Sequence, residues 1–266
     1  VGGNTTCLEV RLGGEHFILD AGTGLRQLGL AYQGHALDAW LLLGHLHWDH
    51  IQGFPFLGAL FHPESRLRVV GPRGTRQALI SQMAGPSFPV SLDQIAARLD
   101  FLEVSPGQSL ELGEVALTTA PLNHPGGGLA YRLAHGDRGL VYACDTEHPD
   151  HGNDPVLEEL ARGAGILIHD AQYLPEEYPS KKGWGHSTYR AAAELALAAG
   201  VPRLVLTHHD PTRDDLALAR LERAARAWHP GARAAREGDI MEIGGWAEDG
   251  ARGGAWRQVA PAGAAT

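Results

Sequence analysis

Along the chain, short apolar runs alternate with turns marked by glycine and proline. Residues 6–12 and 16–20, TCLEVRL and HFILD, have strand-like composition and flank Gly13-Gly14, which predicts a hairpin. The run AWLLL predicts a buried strand, and RLRVVG predicts another, ahead of a glycine-proline turn and a helix in GPRGTRQALISQM. FLEV and EVALTTAPLNH alternate apolar and polar residues, the second running into His124. GLAYRLAHGDRGLVYACD predicts a hairpin that turns near Gly136-Asp137 and ends at Asp145. Asp154 and Pro155 open a helix in DPVLEELARGAG, and ILIHDAQY predicts a buried strand ending at His169 and Asp170. Ser187 or Thr188 caps an alanine-rich helix, and a further strand runs into His208. The last helix, TRDDLALARLERAARAW, shows a capping-box-like Thr212 and Asp215, with Leu218, Leu221, Ala225 and Trp228 as a core stripe. No repeat or linker interrupts the series, and the alanine- and glycine-rich tail after about Gly250 predicts irregular chain.

The densest chemistry follows AWLLL. GHLHWDHIQG places His45, His47, Asp49 and His50 within six residues. At the end of a strand, residues two apart point to one side, so His45 and His47 can share one metal ion. Asp49 and His50 lie on the following turn and can face a second ion. Buried together without a metal, these groups would repel when charged and stay unpaired when neutral, costing on the order of 1–3 kcal/mol each. That cost favours a metal site over packing.

Composition narrows the class. At 266 residues, 44% apolar and 20% charged, the chain predicts one soluble globular domain, residues 1–266. No apolar run approaches membrane-spanning length. VGGNTTCLEV shows no signal-peptide pattern, and its direct entry into a strand predicts that an N-terminal piece is missing. Cys7 and Cys144 are the only cysteines, which argues against a disulfide framework and for the cytoplasm. Cys144 is assigned to the core, because strand neighbours face opposite ways and it could not easily share a metal site with Asp145. A net charge of −9 argues against a long nucleic acid held on a broad basic surface, while leaving room for a small phosphate substrate.

The H-x-H-x-D-H stretch, with His124 in LNHPGGG, Asp145 in YACDTEH and His208 in LTHHDP, resembles the signature of the metallo-β-lactamase superfamily. The resemblance covers nearly the whole chain. It implies an α/β fold, an αββα sandwich of two mixed sheets flanked by helices, around a dinuclear metal centre. It also implies a ligand set: His45, His47 and His124 on one ion, Asp49, His50 and His208 on the other, and Asp145 bridging. Zinc is the first choice because nitrogen ligands dominate, and manganese stays open given two carboxylates. Asp20 matches an aspartate that braces the metal-binding loop; a helix cap is its bland alternative.

GWGHSTYRAAAELALAAGVPRLVLTHHDP narrows the likeness to the phosphodiesterase branch, which includes tRNA 3′-processing endonucleases of the RNase Z type and bacterial cyclic phosphodiesterases. In that branch the histidine matching His186 donates a proton and an acidic residue matching Asp170 orients it. The residues agree: His186 stands just outside a helix N-terminus, where amides and dipole favour a phosphate. The expected function is therefore a metal-dependent phosphodiesterase acting on a small, cyclic or short nucleotide, with Asp49, His186 and Asp170 as catalytic residues and no cofactor beyond the two metal ions. A tRNA 3′-processing endoribonuclease and a lactone, thioester or β-lactam hydrolase are the alternatives. Between His124 and Asp145 two strands fill the chain, leaving no room for a tRNA-binding arm. Trp184, Phe54 and Phe56 are equally readable as substrate contacts or as core, and the chain is compatible with a homodimer.

Overall fold

The computed structural model describes residues 2–243 and 256–258. They form two compact units, one made of residues 4–106 and 112–114, the other chiefly of residues 107–111 and those from 115 onward. Each contains a mixed sheet with helices against it, giving the expected α/β class of two mixed sheets flanked by helices.

In the first unit, β1 (Leu8–Leu12) and β2 (Glu15–Leu19) are the expected antiparallel hairpin. After α1 (Gly24–Ala31), β3 (Asp38–Leu42) lies parallel to β2, and the short α2 (Trp48–Ile51) follows. Then β4 (Arg66–Gly71), α3 (Thr75–Gln82) and β5 (Arg98–Glu103) complete a five-stranded sheet, parallel from β2 to β5. Leu25 of α1 and Leu79 of α3 are fully buried against Leu41 and Val69 in one apolar cluster. Phe54 belongs to that cluster, whereas Phe56 is 57% exposed, so only one of the pair is core.

In the second unit, β6 (Ser109–Leu112), β7 (Val115–Pro121), β8 (Leu129–His135) and β9 (Arg138–Ala143) precede α4 (Pro155–Ala161). Beyond α4 lie β10 (Ile166–Asp170), α5 (Tyr189–Ala198), β11 (Leu204–Thr207), α6 (Asp215–Arg226) and β12 (Ala232–Ala234). They build a seven-stranded sheet in the order β12-β11-β10-β9-β8-β7-β6, with β9 to β12 parallel and β7 to β9 antiparallel. The small side chains Ala192, Ala193 and Ala196 let α5 seat on this sheet, in one cluster with Leu157 of α4 and Leu221 of α6. Asp154 caps α4 by accepting from the amides of Val156 and Leu157, as its pairing with Pro155 predicts.

Three expectations need correction. The cap of α6 is Asp214, which accepts from the amide of Ala217, so Thr212 is not the cap; its hydroxyl bonds Asp210 instead. Trp228 lies past the end of α6 and is 41% exposed, so the buried stripe stops at Ala225. Strand β6 was not expected at all, since SLEL is too short to show a period. Most of the tail read as irregular lies outside the described residues; Trp256–Gln258 form β14, antiparallel to β13 (Asp239–Met241). Among the described residues no helix is long and apolar enough to cross a membrane.

Candidate active site

The first unit holds His45, His47, Asp49 and His50 just beyond the C-terminal end of β3, in a loop and the short α2. The rings of His45 and His47 lie 4.6 Å apart edge to face, and those of His45 and His50 lie 4.0 Å apart. His45 and His50 are buried, while His47 is exposed and Asp49 is half-buried. Asp20 ties this loop together and is wholly buried. Its Oδ1 accepts from the amide of Gly44 at 2.8 Å, and its Oδ2 lies 2.8 Å from Nδ1 of His50. A carboxylate only accepts, so Nδ1 carries the proton and the Nε2 lone pair of His50 is turned the other way, 3.4 Å from Asp49 Oδ2. The helix cap of α1 is Thr23, so Asp20 braces the loop and is not the cap.

The loop is also held by close backbone approach. The amide of Gly53 donates to Ala21, that of Ala21 to His50, and the Thr5 hydroxyl to Asp49. A Cβ on Gly53 would stand 1.9 Å from the carbonyl oxygen of Gly22, which is backbone and has no rotamer to change. Gly53→Ala is therefore expected to lower the stability of the metal-free protein by about 1–3 kcal/mol, read from urea unfolding. A midpoint equal to wild type would mean that the two segments are less closely apposed than they are here.

The second unit gathers His124, Asp145, Asp170, His186 and His208. Its parallel strands deliver three of them: Asp145 comes two residues after β9, Asp170 ends β10 and His208 follows β11. The two oxygens of Asp145 face two imidazoles, Oδ1 at 3.1 Å from His208 Nε2 and Oδ2 at 3.7 Å from His124 Nε2. His124 gives its Nδ1 proton to the carbonyl of Gly185 at 2.9 Å, which turns Nε2 toward a carboxylate oxygen. Two acceptors so placed attract only with a positive charge between them, a proton or a metal ion. A divalent ion bound by both at about 2 Å fits that spacing. Imidazole and carboxylate are the donors that zinc takes, so the residues present fit the metals the fold implies.

Beside this set, His186 Nδ1 lies 2.8 Å from Oδ2 of the fully buried Asp170. Asp170 Oδ1 accepts from the amides of Ser187 and Gln172, which fixes the carboxylate plane. The rings of His186 and His208 stack at 4.7 Å, and one ligand atom each of Asp145, Asp170, His186 and His208 lies within 4.8 Å of the others. Thr188 caps α5, as one of the two expected residues; Ser187 donates to the carbonyl of Thr146 instead. His209 points elsewhere, and burial pulls its pKa down to about 4, so it stays neutral.

Backbone strain marks the same places. Asp20, Asp145 and His208 are the non-glycine residues with positive φ among the described residues, at 60°, 61° and 56°. Each such conformation costs about 1–3 kcal/mol and persists where the surroundings enforce it. The turn at Asp145 also undoes the argument that put Cys144 away from the site. Strand alternation ends with β9 at Ala143, and the buried Cys144 sulfur comes 3.1 Å from Asp145 Oδ1. Cys144 is thus in the core and beside Asp145 at once.

Sequence reasoning missed Glu147. Its carboxylate accepts from the amides of Gly183 and Gly185 and from the Tyr178 hydroxyl. Partial burial would raise its pKa, but those bonds outweigh burial and hold it below the ordinary range, so it is ionised at neutral pH. The only early signal was a carboxylate two positions after Asp145. Trp184, between the two glycines, is 60% exposed, with the Lys181 ammonium 4.5 Å from its ring.

The family model described as "Beta-lactamase superfamily domain" matches residues 15–209. Ribonuclease Z of Mycobacterium sp. (strain KMS) is 32% identical over 228 residues, covering 76% of this chain and 76% of its own. Among solved structures, the metallo-beta-lactamase fold protein YhfI from Bacillus subtilis superposes with a TM-score of 0.67 at 20% identity, covering 87% of this chain and 89% of its own. A diphosphatase from the PhnP family superposes with a TM-score of 0.64 at 19% identity, covering 87% and 81%. With a family match over most of its length, a relative above 30% identity and the same fold in both neighbours, the chain belongs to the metallo-β-lactamase superfamily and is a hydrolase of it.

Proposed function

We propose that this protein is a dinuclear metal-dependent phosphodiesterase acting on a small phosphodiester, a cyclic or short nucleotide. His45, His47 and His124 would hold one divalent ion, Asp49, His50 and His208 the other, and Asp145 would serve both, with residues 1–266 read as a single hydrolase domain. Zinc suits this donor set, and manganese is the second candidate because two carboxylates take part. When bound, the ions supply Lewis-acid polarisation of the phosphoryl oxygens and lower the pKa of water. The chain's own residues complete the chemistry. Asp170 holds the Nδ1 proton of His186 and stabilises the imidazolium, so that Nε2 can deliver a proton to the departing oxygen. The single observation that carries this reading is the 2.8 Å pair of His186 and the buried Asp170, stacked on His208. A hydrolase working on a carbonyl with a good leaving group gains little from such an acid. Cys7 and Cys144 form no disulfide, in keeping with a cytoplasmic protein.

The relative named Ribonuclease Z favours a second reading, an RNA phosphodiester. Against it stand the net charge of −9 and the tight turn at Gly136-Asp137, which leaves no arm between β8 and β9. Long RNA is held by many phosphate contacts, and each weakens with salt. A small phosphodiester needs only the metals, His186 and a few amides.

One comparison decides the matter: kcat/KM for cyclic nucleotides, bis(p-nitrophenyl) phosphate, a precursor tRNA, a β-lactam and an acyl lactone under one zinc condition. Cyclic or short nucleotides are expected to lead. Accurate cleavage of the precursor tRNA at low concentration would overturn the small substrate and keep the reaction class. Efficient lactone or β-lactam turnover, with every phosphodiester inert, would sink the phosphodiesterase reading itself.

A further inference from the structure

A ligand histidine works only if its lone pair points at the metal, and that direction is set by whatever holds its other nitrogen. For His124 the holder is a main-chain carbonyl, that of Gly185 at 2.9 Å. A carbonyl in a loop is a poor fixture unless the loop is itself fixed. Gly185 has φ +84° and sits so close that a Cβ there would stand 2.2 Å from His124 Nδ1, so the loop cannot be stiffened at that residue by a side chain.

Glu147 does the stiffening from outside. Its Oε2 accepts from the amides of Gly185 and Gly183, both at 2.9 Å. Its Oε1 accepts from Gly183 at 2.8 Å and from the Tyr178 hydroxyl at 2.9 Å. The main chain of Glu147 is tied to the residue before the ligand: its amide donates to the Asn123 carbonyl at 2.8 Å, and the Asn123 side-chain amide donates back to its carbonyl at 2.9 Å. The bonds therefore close a ring. It runs from His124 through the Gly185 carbonyl and amide to the Glu147 carboxylate, then through the Glu147 main chain to Asn123 and back. Amide bonds to a carboxylate are charge-assisted and roughly twice as strong as neutral ones, so the ring is stiff where it meets the glycines.

We infer that Glu147 is the positioning residue for His124: through the Gly185 amide it fixes the carbonyl that takes the Nδ1 proton, and thereby aims Nε2 at the metal. The inference rests on the reading of His124 as a ligand. It assigns Glu147 no contact with substrate and no proton to move.

The test is cobalt binding to the metal-free protein, followed by the visible d–d absorption, with wild type, Glu147→Ala, Glu147→Gln, Tyr178→Phe and His124→Ala. Thermal melts without metal run in parallel. Glu147→Ala is expected to weaken one of the two cobalt ions about 10–100-fold and to change its spectrum, leaving the other ion as in wild type. Glu147→Gln, which keeps the volume and one accepting oxygen, should recover part of that loss and covers the case in which the alanine variant folds poorly. Tyr178→Phe, which leaves both glycine amides bonded, should come closest to wild type. His124→Ala is expected to delete the same ion outright. If His124→Ala loses an ion while Glu147→Ala and Glu147→Gln keep wild-type affinities and spectra, the inference is overturned even where their melting temperatures fall. If His124→Ala keeps both ions, the ligand reading fails, and this inference with it.

Discussion

His186→Ala, loaded with zinc to the wild-type level, is expected to hydrolyse a cyclic nucleotide with kcat lower by about 10²–10⁴, the usual share of a general acid. The loss should depend on the leaving group. A ribose oxygen departs as a strongly basic alkoxide and needs the proton, whereas p-nitrophenolate departs without one, so bis(p-nitrophenyl) phosphate should lose far less. Asp170→Asn should follow His186→Ala. Its oxygen will stay with the amides of Ser187 and Gln172, which turns the new NH₂ toward Nδ1 of His186. Nδ1 must then accept, and the imidazole becomes a neutral, weak acid. The check is kcat on both substrates beside metal content by elemental analysis. Equal losses on both, or loss of metal from His186→Ala, would make His186 a ligand or a structural residue.

Asp145→Ala should be more damaging. Asp145 faces His124 and His208 together, so its removal takes a ligand from both proposed ions, and elemental analysis should find fewer than two. Several kcal/mol of metal stabilisation lost corresponds to a fall in kcat/KM of at least about 10³. A companion variant separates ligand from conformation. At φ 61°, alanine is strained and glycine is not, so Asp145→Gly should be equally inactive yet melt higher than Asp145→Ala without metal. Two zinc ions retained in Asp145→Ala would remove Asp145 from the ligand set.

Much of this was legible in the chain because it rests on local pattern. His45, His47, Asp49 and His50 declare themselves by spacing, and the strands that carry Asp145, Asp170 and His208 declare themselves by apolar runs that stop at a polar residue. The fold class followed from the same runs together with the family likeness. What stayed hidden depends on conformation or on distant backbone. No propensity announces that Asp145 is left-handed, so strand alternation put Cys144 in the core, where it is, but apart from Asp145, which it touches. Glu147 was invisible because its partners are amides of Gly183 and Gly185, which have no side chain to form a pattern. The α6 cap was missed because Thr212, Asp214 and Asp215 all suit a cap, and only the chain's path selects Asp214.

The parallel strands β9, β10 and β11 each end at or just short of a site residue, while β10 and β11 are entered from α4 and α5 and β9 from the hairpin with β8. Chemistry therefore gathers at one end of these strands, while the apolar cluster runs along their length. Side chains beyond the strand tips that face solvent, such as the exposed Trp184, can be exchanged over generations without shifting the register that aligns Asp145, Asp170 and His208. Inheritance of the reactive groups and invention of new specificities are thus uncoupled in this half of the chain. A lineage built this way can diversify its substrates while its catalytic frame stays fixed.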